Sequence, residues 1–92
     1  MAKILLVEDN EVITKGLKYS LEQENFQVET AENIVMAKAK INKQRYDLYL
    51  LDIALPDGDG YEICNYIKSK EDVPVIFLTA KDEESDVVQG LD

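Results

Sequence analysis

Three apolar runs in this chain each end in a residue able to bind a cation or a phosphoryl group. Ile4-Leu5-Leu6-Val7 runs into Glu8-Asp9, Leu48-Tyr49-Leu50-Leu51 into Asp52, and Val75-Ile76-Phe77-Leu78 into Thr79. Unbroken apolar runs of this length mark strands covered on both faces, as in a parallel sheet. Ligands of open α/β sheets collect beyond the carboxyl ends of such strands. The pattern therefore predicts three carboxylates and a hydroxyl at one sheet edge. That is a donor set for a hard cation and a phosphoryl group.

Strands are expected over residues 3–8, 26–30, 47–52 and 74–79, with helical patterns between them. Ile13, Leu17 and Leu21 share one face of a helix over 10–24. Ile34, Ala37 and Ile41 do so over 33–44, with Asn33 as N-cap. Tyr61, Ile63, Cys64 and Ile67 mark a helix over 59–69 that Asp59 caps, and Val87, Val88 and Leu91 mark a final stretch over 82–92. This alternation implies parallel strands joined by right-handed crossovers. The second strand, Phe26-Gln27-Val28-Glu29-Thr30, alternates apolar and polar residues, which suits a sheet edge. The other three read as central. No fifth strand follows the fourth, so the expectation is one incomplete domain over residues 1–92, ending near a fourth helix.

Composition narrows the function. Ninety-two residues make at most one domain, and 46% hydrophobic content excludes a disordered chain. A net charge of −9 argues against a nucleic-acid surface, which needs clustered Lys and Arg. The first apolar run is too short for a signal peptide or a membrane span. Cys64 is alone and cannot form an internal disulfide, so the cytoplasm is the expected compartment. With no histidine, Ser-His and Cys-His dyads and histidine zinc sites are excluded.

Asp52, at the rim of a buried strand, is the leading candidate. Packed beside Glu8 and Asp9 it would suffer mutual repulsion, which a divalent cation relieves. The plainer alternative is that Glu8 and Asp9 cap the first helix and Asp52 caps a turn. Thr79 offers a hydroxyl to a phosphoryl oxygen, and the small Ala80 lets a backbone N–H approach it; alternatively Thr79 caps the next helix. Lys81 reads as a solvated loop lysine. Leu55-Pro56-Asp57-Gly58-Asp59-Gly60 carries strong turn chemistry. It is not a calcium loop, because Tyr61 and Glu62 break that pattern. Asp52-Ile53-Ala54 lacks the second acid of haloacid-dehalogenase phosphatases, and no nucleotide-binding glycine loop is present.

Taken in order, Lys3-Ile4-Leu5-Leu6-Val7-Glu8-Asp9-Asn10, Tyr46 through Gly60, and Val73-Pro74-Val75-Ile76-Phe77-Leu78-Thr79-Ala80 resemble the receiver domain of bacterial two-component response regulators. The resemblance implies a flavodoxin-like (CheY-like) doubly wound parallel sheet of strand order 2-1-3-4, with the family's fifth strand and helix missing. It implies a phosphoacceptor, not an enzyme with a separate substrate, in which Asp52 takes a phosphoryl group from a sensor histidine kinase. It further implies Mg²⁺ held by Asp9, Asp52 and the backbone carbonyl of Ala54, with Glu8 acting through water, and phosphoryl contacts from Thr79 and the Ala80 N–H. The family's strand-five lysine and aromatic switch residue have no counterpart here, and Lys81 does not fill the lysine's place. Impaired switching is expected, with no direct nucleic-acid or membrane binding by this chain. A homodimer or larger species through the exposed fourth strand is also expected. The competing readings are an inert self-associating fragment and, less favoured because of Ala54, a dehalogenase-type phosphohydrolase.

Overall fold

A computed structural model describes residues 1–78. In chain order it contains β1 (Lys3–Val7), α1 (Glu11–Gln23), β2 (Gln27–Ala31), α2 (Ile34–Lys43) and β3 (Leu48–Asp52). A small hairpin of β4 (Ala54–Leu55) and β5 (Gly58–Asp59), α3 (Gly60–Lys68) and β6 (Val75–Leu78) complete it. Four parallel strands form the sheet in the order β2-β1-β3-β6. The expected topology is therefore present among the described residues, with β6 as the fourth strand.

Strand alternation sorts the apolar residues onto two faces. Leu5, Val7, Tyr49 and Leu51 face α2 and α3, where they pack with Ile34, Ala37, Ile41, Ile63 and Ile67. Ile4, Leu6, Val28 and Leu50 form the other cluster, against Leu17 and Leu21 of α1. α1 buries no residue fully, whereas α2 buries its Ile34, Ala37 and Ile41 stripe. The alternating second strand is an edge strand, as expected. The fourth reads as central from its sequence, yet among the described residues β6 pairs only with β3 and Ile76 is 52% exposed. No described helix is long and apolar enough to cross a membrane.

Register decides where the strand ends meet. Val7 lies opposite Leu51 on one side and Ala31 on the other. Glu8 and Asp52 are therefore level with each other on adjacent strands. By the two-residue period both side chains fall on the face of Ile4, Leu6 and Leu50, toward α1.

Candidate functional site

The acid cluster forms where β1 and β3 end. One carboxylate oxygen from each of Glu8, Asp9 and Asp52 lies within 4.8 Å of the others. Glu8 and Asp52 are only 5% and 4% exposed, while Asp9 faces solvent. Neither buried acid has a cationic partner among the described ion pairs. Burial pushes the Glu8 carboxyl up to about 7. The Asn10 backbone N–H, 3.1 Å from Glu8 Oε2, opposes that rise, and the adjacent Asp52 and Asp9 carboxylates add to it. Two buried acids with no compensating cation among the described residues are costly.

Turns and caps fix this edge. The Asn10 side chain accepts from Val12 N at 2.9 Å and Ile13 N at 3.1 Å, capping α1. Asn10 fills the role that the plainer reading gave to Glu8 and Asp9, and it leaves both carboxylates free of that duty. Asn33 and Asp59 cap α2 and α3 as expected, accepting from Met36 N and Glu62 N. Beyond Asp52 the chain turns back on itself: Gly60 N–H donates to Ile53 O at 2.8 Å. A Cβ at Gly60 would collide with the Asp52 carbonyl oxygen, so only glycine lets α3 start this close to the strand end. Ala54 is exposed in β4, just past Asp52. A cavity of about 320 Å³ opens between α1 and the end of β2, with Glu8 and Asp9 on its wall.

The structure thus brings Glu8, Asp9 and Asp52 together and places Ala54 next along the chain. Thr79, Ala80 and Lys81 lie outside the described residues. Sequence reasoning missed three supporting residues. Asn10 is signalled by its place just before the apolar-periodic stretch of α1. Gly60 looked like ordinary turn chemistry, and Asp57, whose carboxylate reaches α2, carries no local signal of that contact.

The donor set suits Mg²⁺. All three side chains offer hard oxygen, no nitrogen or sulfur donor joins the cluster among the described residues, and the crowding of buried carboxylates is what a divalent cation relieves.

Comparison with known proteins agrees with this geometry. The profile of the response regulator receiver domain matches residues 4–92. The chain is 46% identical over 90 residues to the transcriptional regulatory protein ResD of Bacillus subtilis (strain 168), covering 98% of this chain and 38% of ResD. The chain spans 38 to 42% of the length of curated relatives such as ResD and ArlR of Staphylococcus epidermidis. Among solved structures, the response regulator TrrA of Thermotoga maritima in complex with Mg²⁺-BeF is 38% identical. It superposes with a TM-score of 0.82 over 95% of this chain and 77% of that one. TrrA in complex with the histidine kinase ThkA is 40% identical, with a TM-score of 0.81 over 87% of this chain and 70% of that one.

Proposed function

This chain belongs to the response regulator receiver domain family, and from that membership we propose that it is a phosphoacceptor module in which Asp52 takes a phosphoryl group from a sensor histidine kinase. The observation that carries the proposal is the Glu8, Asp9 and Asp52 cluster at the ends of β1 and β3, with Asp52 buried at its rim. An Asp52 carboxylate oxygen attacks phosphorus as the phosphorus–nitrogen bond to the donor histidine breaks. The nitrogen keeps the bonding electron pair, and the three phosphoryl oxygens transfer unchanged. Asp52 carries the phosphoryl group until the acyl phosphate is hydrolysed and the carboxylate regenerated, so the chain is a phosphoacceptor with at most self-catalysed phosphotransfer and dephosphorylation. The relative's complex with a histidine kinase supports the choice of partner.

Asp9 and Asp52 would hold Mg²⁺ directly with the Ala54 carbonyl, and Glu8 would hold it through water. When bound, Mg²⁺ offsets the repulsion between these carboxylates and an anionic donor. The chain's own residues set the stage. The Val7–Leu51 register aligns the carboxylates, Gly60 lets α3 close behind Asp52, and Asn10 steers Glu8 through its N–H. The complex of TrrA with Mg²⁺-BeF supports this assignment. Thr79 and the Ala80 N–H are assigned the phosphoryl contacts. A dehalogenase-type hydrolase is disfavoured because Ala54 supplies no second acid. The net charge of −9 supports the absence of direct nucleic-acid binding. A cytoplasmic location is proposed on the same family grounds.

Beryllofluoride, a phosphoryl mimic that bonds to a carboxylate oxygen, tests the site. A bound fluorine NMR resonance is expected with Mg²⁺, absent with chelator and absent in Asp52→Asn. The same resonance in Asp52→Asn would overturn the assignment.

The half-exposed Ile76 on β6 supports a second reading of how the chain behaves: pairing of two copies along that strand. Sedimentation equilibrium is expected to show a dimer or larger species. A monomer at high micromolar concentration would sink this part of the proposal.

A further inference from the structure

Asp57 sits at the tip of the β4–β5 hairpin, in the two-residue loop Pro56-Asp57. The side chain caps α2 across 22 and 23 residues of sequence. Its Oδ1 accepts from Ile34 N at 2.8 Å and its Oδ2 from Val35 N at 3.2 Å. The first turn of α2 therefore has two unrelated caps, Asn33 on Met36 N and Asp57 on the two preceding amides. Gly58 presses the same contact. With φ at +150° its backbone favours glycine, and a Cβ there would meet Ile34 Cδ1 at 2.5 Å.

This hairpin is the direct continuation of the strand that carries Asp52. Its pairing runs Ala54 to Asp59 and Leu55 to Gly58, and Gly60 N–H closes on Ile53 O. The tip is tied to α2 and the base to the start of α3. The backbone of Ile53 and Ala54 lies between these two ties. Asn33 accepts from Met36 N alone, so Asp57 serves the Ile34 and Val35 amides that Asn33 leaves; capping does not, however, require that this acceptor come from the hairpin that continues the Asp52 strand.

We propose that Asp57 is a positioning residue for the phosphoacceptor site: by clamping the hairpin tip onto α2 it fixes the Ile53–Ala54 backbone beside Asp52. The inference rests on the proposed Mg²⁺-dependent site and adds a residue to it that touches neither metal nor phosphoryl group. An unclamped hairpin would let the segment after Asp52 sample other positions, and a site that is loosely held binds more weakly.

Four proteins decide it: the unaltered chain, Asp57→Ala, Asp57→Asn and Asn33→Ala. Each is titrated with Mg²⁺ alone by calorimetry, and amide hydrogen exchange is followed at residues 53–60. Asp57→Ala is expected to weaken Mg²⁺ binding about fivefold to tenfold and to speed exchange in the hairpin by a similar factor. Asp57→Asn keeps an acceptor oxygen for Ile34 N–H and is expected to fall between. Asn33→Ala removes a cap from the same helix and is expected to lower stability while leaving Mg²⁺ affinity and hairpin exchange unchanged. The proposal is overturned if Asp57→Ala lowers stability with Mg²⁺ affinity and hairpin exchange unchanged. It is also overturned if Asn and Ala weaken binding equally with normal exchange, which would assign the effect to lost charge. If the unaltered chain binds Mg²⁺ no better than an Asp9→Asn/Asp52→Asn double variant, the site reading itself fails. Hairpin exchange then judges the clamp: unchanged rates in Asp57→Ala overturn it, and faster rates sustain it.

Discussion

At the scale of single residues, the site is held together against its own electrostatics. Glu8 is buried among like charges, and its carboxyl is pushed up to about 7. Its folded-state value exceeds the unfolded one, near 4.5. The native state therefore holds the proton more tightly, and Glu8 helps stability fully below about pH 4.5. That help is lost as pH rises through about 7, on the order of 2 kcal/mol in the absence of metal. Glu8→Gln is expected to unfold at higher urea concentration than the unaltered chain at pH 8 with chelator present, and the gap should vanish near pH 4.5. A shift of equal size at every pH would contradict buried charge at Glu8 as its cause. Gly60 is held by sterics. Alanine is the better helix former by about 1 kcal/mol, but its Cβ would collide with the Asp52 carbonyl oxygen. The collision is with backbone and should dominate. Gly60→Ala is expected to cost about 1–3 kcal/mol in denaturant unfolding and to weaken Mg²⁺ binding. Unchanged stability would show that α3 shifts freely.

At the scale of elements, caps and register do what hydrophobic pattern does not. Asn10→Ala removes the acceptor for two α1 amides and is expected to cost about 1 kcal/mol, seen as a lower urea midpoint. No loss would mean that Asp9 takes over the cap, the role that the plainer reading of the sequence assigns to it. β1 and β3 were legible because both faces of each are buried, leaving unbroken apolar runs. β2 was legible as an edge from its alternation. The meeting of Glu8 with Asp52 was legible only as a consequence of fold class, because parallel register is set by packing across the sheet. Asp57 was not legible as a cap at all. Its partners Ile34 and Val35 lie 23 and 22 residues away, and capping rules read only neighbours. Tyr61, one of the residues that mark α3, is 52% exposed, with its ring 4.8 Å from that of Phe77 on β6.

At the scale of the whole molecule, two apolar clusters on opposite sheet faces leave one polar edge where β1 and β3 end. The fold puts its least favourable electrostatics there, in a chain that already carries a net charge of −9. A carboxylate cluster is costly on its own, and a divalent cation is what relieves it. The most direct test is acyl-phosphate trapping. The chain is treated with acetyl phosphate and Mg²⁺, reduced with borohydride and mapped by peptide mass spectrometry. One modified residue, Asp52, is expected, with the modification lost on chelation of Mg²⁺ and in Asp52→Asn. Modification at Asp57 or Asp59, or undiminished labelling of Asp52→Asn, would contradict the assignment of Asp52 as the phosphoacceptor.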